Sequence, residues 1–414
     1  MRRWKHVSAA GLLTLIIVFE LSAFSLLAFR DSALDYNAFI FGGIVVALLL
    51  FQYISLTLIF RHVDRYLLII ANVLVGVGLI VQYRIDPDIA FKQIMWFGIG
   101  MLAMVLCILL MRFPNFFRRI NWLLMAGSVA VLAVLFIIGD EVYGAKNWIT
   151  IGSQSFQPSE FVKVATVFVL GHWLASSRDV RGIWPLLAYV LCVVGLLVIE
   201  RDLGAAVLIG LTSLIVFYVA TGNKALTLVG LAGGSAGAVA SYYIFDHVRV
   251  RVAIWKNPWA TYSGNGYQIA QGLMAIASGG LWGMGLTRGS PKLIPAYHTD
   301  YIFAVICEEF GVIFGVCIIA FYLVFIIRGS LIALNAPDRF TMLVAFGCTA
   351  LITLQSFIII AGVIKLIPLT GITLPFVSYG GSSMIASMML LGILEGVAIQ
   401  GGETLERALK EMTP

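Results

Sequence analysis

Asp300 ends the polar stretch Pro295-Ala-Tyr-His-Thr-Asp300 and opens the apolar run Tyr301-Ile-Phe-Ala-Val-Ile-Cys-Glu-Glu-Phe-Gly311. A carboxylate where a polar loop enters an apolar segment is a functional candidate by default, because its desolvation has to be repaid by a task or a partner. Such a group can take a proton from a hydroxyl, or it can hold a divalent cation (Mg2+ or Mn2+) against phosphate oxygens. Its position suits a substrate with an apolar tail in lipid and a polar head in water.

Other polar groups gather in segments that enter apolar runs from the same side. Pro158-Ser-Glu160 opens one run, and Lys163 lies one turn further in, on the face of Glu160. The pair reads equally well as a helix-capping ion pair or as part of a site. Asp202 sits in the tight turn Glu200-Arg-Asp-Leu-Gly204, which by itself reads as a charged surface turn. Gly144-Ala-Lys-Asn-Trp148 offers the cation Lys146 and the indole of Trp148. The long stretch 246–299 carries Arg249, Arg251, Lys256, Arg288 and Lys292. Segment Pro368–Ser383 is too apolar for a solvated loop and too rich in Gly and Pro for a spanning helix. It is expected to be a re-entrant piece beside Asp300.

The elements that must position these groups are membrane helices. The 414 residues are 61% hydrophobic and 12% charged, which excludes a soluble globular protein. Twelve apolar stretches approach the ~20 residues needed to cross a bilayer. They lie near 7–29, 36–60, 66–83, 91–111, 120–138, 158–175, 183–199, 203–220, 225–245, 300–327, 341–361 and 383–400. The expected fold is an all-α polytopic membrane protein with one large extracytoplasmic loop, 246–299. With 300–327 as a single helix, Glu308 would lie about 12 Å deeper than Asp300.

Arg2, Arg3 and Lys5 precede the first run, which is longer than a signal-peptide core, so a retained anchor is expected. Alternate connections hold most of the 27 basic residues, which places both termini in the cytoplasm and Asp300 outside. All 5 cysteines fall inside expected spans and read as packing residues. No charge run suggests nucleic acid. Glu20 and Glu395 have no evident partner in the sequence.

The motifs His298-Thr-Asp-Tyr-Ile-Phe-Ala-Val-Ile-Cys-Glu-Glu-Phe-Gly311 and Leu374-Pro-Phe-Val-Ser-Tyr-Gly-Gly-Ser-Ser383 resemble signatures of the SEDS family, the RodA, FtsW and SpoVE group. So do Gly144–Trp148, Gln157-Pro-Ser-Glu-Phe-Val-Lys163, Asp202-Leu-Gly204 and Gly266-Tyr-Gln-Ile-Ala-Gln271, in family order. The resemblance implies a ten-helix glycosyltransferase core over 66–400, preceded by two additional helices in 1–65 and followed by a short cytoplasmic tail, 401–414. It implies a peptidoglycan glycosyltransferase that polymerises lipid II, with undecaprenyl-pyrophosphate-linked glycan as the growing chain. A class B penicillin-binding protein is the implied partner, in the cytoplasmic membrane. The family's catalytic aspartate falls on Asp300. Substrate contacts are implied at Lys163, Trp148, Glu160, Asp202, Gln271, His298, Thr299, Ser378 and Ser382. Ala296 stands where the family commonly has Glu, and Asn147 where it often has Arg. Contacts to diphosphate are therefore expected to shift onto Lys146 and Arg201.

The implied reaction needs a base for the attacking hydroxyl and donors for the leaving diphosphate. Asp300 suits the first role, and Lys163, Arg249, Arg251 and Lys292 are candidates for the second. One base fits an inverting displacement. A lipid II transporter and a non-catalytic scaffold remain alternative readings. The orientation has a direct check: single cysteines introduced in 255–265 should react with an impermeant thiol reagent on whole cells. Labelling that appears only after permeabilisation would reverse the topology.

Overall fold

The computed structural model describes residues 8–29, 34–142, 145–152, 154–176 and 182–412. Ten helices in it are long and apolar enough to cross a membrane. They are α1 (Ala9–Ala28), α2 (Tyr36–Ile59), α3 (Arg65–Ile85), α4 (Pro87–Met111), α6 (Asn121–Ile138), α9 (Leu203–Thr221), α10 (Lys224–Ile244), α14 (Val312–Leu334), α15 (Arg339–Val363) and α16 (Gly381–Met412). The shorter or more polar helices α7 (Ser159–Ser176) and α8 (Trp184–Ile199) pack among them, and α5 (Pro114–Arg119) is a single short turn of helix. The chain is thus a multi-pass α-helical membrane protein.

Helix entry points follow from local chemistry. Asp64, Asp86, Asp202 and Asp338 each cap a helix by accepting backbone N–H groups of its first turn. Helices α3, α15 and α16 are buried along most of their length and form the centre. Helices α1 and α2 pack on each other and on α3, partly through Phe24, Phe41 and Tyr83, whose rings lie 4.8–5.8 Å apart. Helix α10 leans on α9 and has no buried residue.

Three expectations are corrected. The stretch 300–327 is not one helix. Its first part is the short buried helix α13 (Ile302–Phe310), and Gly311 breaks the chain with φ +89°, which strongly favours a residue without Cβ. The spanning helix that follows, α14, ends seven residues beyond the expected limit. The break is stabilised by hydrogen bonds from Met284 and Gly285 N–H to the carbonyls of Glu308 and Glu309. The region 246–299 is also more than a loop: it folds as α11 (Asp246–Lys256), a 3-10 turn (Pro258–Thr261) and α12 (Tyr267–Gly279), with α12 packed on α13. Finally, Glu395 does have a partner. It accepts the Asp64 N–H at 2.8 Å, while the Asp64 carboxylate pairs with Arg328.

Two features were not expected. Three short strands form a small antiparallel sheet, β1 (Asp140–Val142), β2 (Ala145–Ile151) and β3 (Gln154–Phe156), in the order β1-β2-β3. The Arg84 guanidinium at the end of α3 pairs with buried Glu309 at 2.6 Å and donates to the Gly289 carbonyl at 2.8 Å, tying α13 and the chain before it to α3.

Gly78 of α3 presses against the Val377 carbonyl, so a side chain there has nowhere to go. Gly78→Val should destabilise the protein by ~1–3 kcal/mol through overpacking. Gly127→Ala, in open space on α6, should be neutral or stabilising by up to ~1 kcal/mol. Thermal unfolding in detergent should separate the two; equal melting temperatures would disprove the close approach.

Candidate active site

Between α15 and α16 the chain runs through residues 364–380 without regular structure, and much of it is buried. Backbone of this kind at membrane depth needs partners from side chains. Gln82 of α3 donates to the Val377 carbonyl at 2.9 Å, and Gln93 of α4 donates to Ser378 O at 3.2 Å while accepting Gly380 N–H at 3.2 Å. The Tyr322 hydroxyl of α14 donates to Pro375 O at 2.6 Å. The segment expected to be re-entrant is thus irregular, largely buried and held by side chains of α3, α4 and α14.

It holds the stretch that precedes α13. Ser378 Oγ donates to Thr299 O at 2.6 Å and accepts Leu374 N–H at 2.9 Å, and Tyr379 N–H donates to His298 O at 2.9 Å. Asp300 therefore faces the re-entrant turn: a Cβ placed on Gly371 would lie 3.6 Å from Asp300 Oδ2. The Asp300 side chain keeps partial access to solvent but is densely surrounded. Burial pushes its carboxyl up to about 6, against the opposing pull of the Thr299 hydroxyl and the Arg251 guanidinium.

Arg251 of α11 reaches the same turn, donating to Leu369 O at 3.2 Å and Thr370 O at 3.1 Å. Its charge is felt by both Asp300 and Asp202. Buried polar atoms without a partner among the described residues include His298 Nδ1, Thr370 Oγ1 and Asn147 Oδ1. All three belong to segments of this end of the bundle, where a polar substrate could supply the missing bonds.

Asp202 is not a surface group. It is buried, and its Oδ2 accepts from Asn147 at 2.7 Å, Gln157 at 3.2 Å and Ser159 at 3.3 Å, while Oδ1 caps Ala205 N–H at 3.0 Å. One aspartate thus joins β2, the start of α7 and α9. Asn147, the departure from the family pattern, acts here as a donor to Asp202. Neighbouring Glu200 is fully buried, and burial followed by the Asp202 charge pushes its carboxyl up to about 8.

Lys163 is buried. Its ammonium lies 2.7 Å from Glu160 and 3.1 Å from Gln355, which in turn donates to Thr373 O at 3.0 Å. Thr373 Oγ1 is 2.5 Å from Ser383 Oγ, and the adjacent Ser382 Oγ accepts Gln157 N–H at 2.9 Å. Glu160, Lys163, Ser382 and Asp202 therefore belong to one continuous network behind the re-entrant turn.

Among the described residues, the remaining candidates are not drawn into contact with Asp300. Trp148 stands half-buried in β2. Gln271 of α12 donates to the Tyr262 hydroxyl at 2.9 Å. Arg249 is exposed and pairs with Asp246 of its own helical turn. Lys292 is exposed. The Lys146 side chain lies outside the described residues. A half-open cleft of ≈ 480 Å³ beside the turn after α8 is lined by Arg201, Phe245, Asp246 and His247, and His247 stands in the field of Arg201 and Arg251. No group of three or more His, Cys, Asp or Glu that could share a metal ion occurs among the described residues.

The family described as "Cell cycle protein", comprising FtsW, RodA and SpoVE, matches residues 54–401. The chain belongs to this family. It is 36% identical over 367 residues to the peptidoglycan glycosyltransferase RodA of Mycobacterium tuberculosis, covering 81% of this chain and 78% of that one. It is 34% identical over 361 residues to the stage V sporulation protein E of Bacillus subtilis, covering 81% and 96%. A solved chain reported for the coordination of polymerization and crosslinking by a peptidoglycan synthase complex superposes with a TM-score of 0.70 at 26% identity, covering 81% and 97%.

The sequence reading missed Gln82, Gln93, Gln355 and the Arg84–Glu309 pair. Glutamines within apolar runs were the available signal, since each needs two kinds of partner inside a membrane. Lys163→Met should cost about 3–5 kcal/mol, because it leaves the Glu160 carboxylate buried and alone. Lys163→Met combined with Glu160→Leu should recover much of that loss in detergent melting. A double variant as unstable as the single one would refute the ion-pair role.

Proposed function

We infer that this chain is a peptidoglycan glycosyltransferase embedded in the membrane as a multi-pass protein. The observation that carries the reading is the Asp300 carboxylate, half-buried beside Arg251 against the re-entrant turn, in a chain whose relatives carry that activity by name. Lipid II is the proposed substrate, and a glycan linked to undecaprenyl pyrophosphate is the growing strand. Asp300 takes the proton of the attacking sugar hydroxyl, whose oxygen forms a bond to the anomeric carbon. The bond from that carbon to diphosphate breaks on the opposite face, which inverts configuration. Arg251 receives part of the developing charge, and Arg201 and His247 in the adjoining cleft receive the rest.

The charged groups around Asp300 sit at one end of the bundle, whereas a transporter would place its site near the midplane. That end faces outward from the cytoplasmic membrane in the proposed orientation, with both termini inside. A class B penicillin-binding protein is the proposed partner for crosslinking, docked on the lipid-facing helices. Residues 1–65 act as an addition to the glycosyltransferase core, and 401–414 as a cytoplasmic tail.

Two measurements on purified protein with lipid II test the role of Asp300. Asp300→Asn keeps the shape and removes the basicity, so polymerisation should fall by ~10²–10⁴-fold. Wild-type turnover with normal expression would end the base assignment. The base works only when deprotonated, so kcat/KM should fall about tenfold per pH unit below about 6 and level off above it. If Asp300 instead holds Mg2+ or Mn2+, metal competes with the proton and the acid limb moves to lower pH as metal concentration rises. A limb insensitive to metal supports the base.

A further inference from the structure

The opposite end of the bundle carries a second cleft, part apolar and part charged, that the glycosyltransferase reading does not use. It measures ≈ 300 Å³, is half-open, and is lined by Arg118, His172, Ser176, Asp338, Arg339 and Phe340. Three elements supply these groups. Arg118 comes from α5, His172 and Ser176 from the end of α7, and Asp338 to Phe340 from the start of α15.

Each guanidinium is fixed by its own contacts. Arg118 lies 4.8 Å over the Phe340 ring and pairs with Asp338 at 2.9 Å, with a longer bond to Asn115 at 3.4 Å. Arg339 donates to the Ala220 carbonyl at the end of α9 at 2.7 Å. Asp338 also caps α15 through Phe340 and Thr341 N–H. One carboxylate thus faces two guanidiniums, and Arg339 has no carboxylate partner among the described residues. Among the described residues, the cleft keeps a surplus positive charge and several unspent N–H donors.

The surroundings define what would enter. Phe113 and Phe116 at α5 are 67% and 47% exposed, and Trp122 at the start of α6 is 61% exposed. Trp122 meets Trp173, the neighbour of His172, edge to face at 5.4 Å. Exposed aromatics beside a helix end of a membrane protein mark the boundary between acyl chains and headgroups. Arginines on the same short helix then stand at headgroup level.

We propose that this cleft binds the phosphodiester headgroup of an anionic phospholipid, with Arg118 and Arg339 on the phosphate, His172 and Ser176 at the rim, and the acyl chains along Phe113, Phe116 and Trp122. The bound lipid ties α5, α7 and α15 together at the end remote from Asp300. The site is independent of the reaction chemistry, so its test does not use activity.

The full-length protein in neutral detergent is titrated with short-chain phosphatidylglycerol, phosphatidylcholine or inorganic phosphate, with bound lipid counted by native mass spectrometry and stability followed by thermal unfolding. Phosphatidylglycerol should bind and raise the melting temperature, and the other two should do so at least tenfold more weakly. An arginine at an anionic lipid surface contributes about a fivefold gain in affinity, so Arg118→Gln with Arg339→Gln should weaken binding roughly twenty- to thirtyfold. Because Arg118→Gln leaves Asp338 unpaired and could unfold that corner, Ser176→Glu is the second variant. It adds a carboxylate at an exposed rim position and should also weaken phosphatidylglycerol binding. Equal binding of phosphatidylcholine, an equal effect of free phosphate, or unchanged phosphatidylglycerol binding by the folded Ser176→Glu protein would overturn the proposal.

Discussion

An irregular backbone cannot lie in a bilayer unless each of its N–H and C=O groups finds a partner in the protein. Residues 364–380 impose that constraint on the whole site end of this molecule. Gln82, Gln93, Tyr322, Ser378 and Arg251 answer it, drawn from α3, α4, α14, the re-entrant segment itself and α11. Because these five residues come from separate parts of the chain, satisfying one short segment brings them to the same place. Asp300 is held as a consequence, through Ser378 on Thr299 and Tyr379 on His298.

A second layer of polar groups lies behind that turn and has a different character. Asp202 gathers four donors, and Lys163 is neutralised by Glu160 and oriented by Gln355. Buried charges survive in such surroundings only when paired and hydrogen-bonded. This layer therefore reads as the rigid backing of the site, with Asp300 and Arg251 in front of it. The cation that responds to Asp300 is Arg251, contributed by the segment between α10 and α12.

The two ends of the bundle divide the charge differently. At the Asp300 end, a carboxylate with a raised pKa and atoms without partners leave bonding capacity for a substrate. At the other end, Arg328, Asp64 and Glu395 close on one another, and the cleft of Arg118 and Arg339 keeps a surplus of positive charge.

The sequence by itself determined the class of molecule, the places where most helices run, the family, and Asp300 as the group to watch. Those features are local: hydropathy over a window, capping aspartates, and motifs of consecutive residues. It also pointed to 368–383 as re-entrant, because Gly and Pro in apolar company have few other uses at membrane depth. Only the tertiary structure decided which cation stands by Asp300, since Arg249 and Arg251 differ by two positions and point to different partners. It also decided that Lys163 is a buried ion pair, and that 300–327 breaks at Gly311. Each of these depends on contacts between residues far apart in the chain, and apolar periodicity carries no information about them: a helix that continues and a helix that stops in a protein interior are equally hydrophobic.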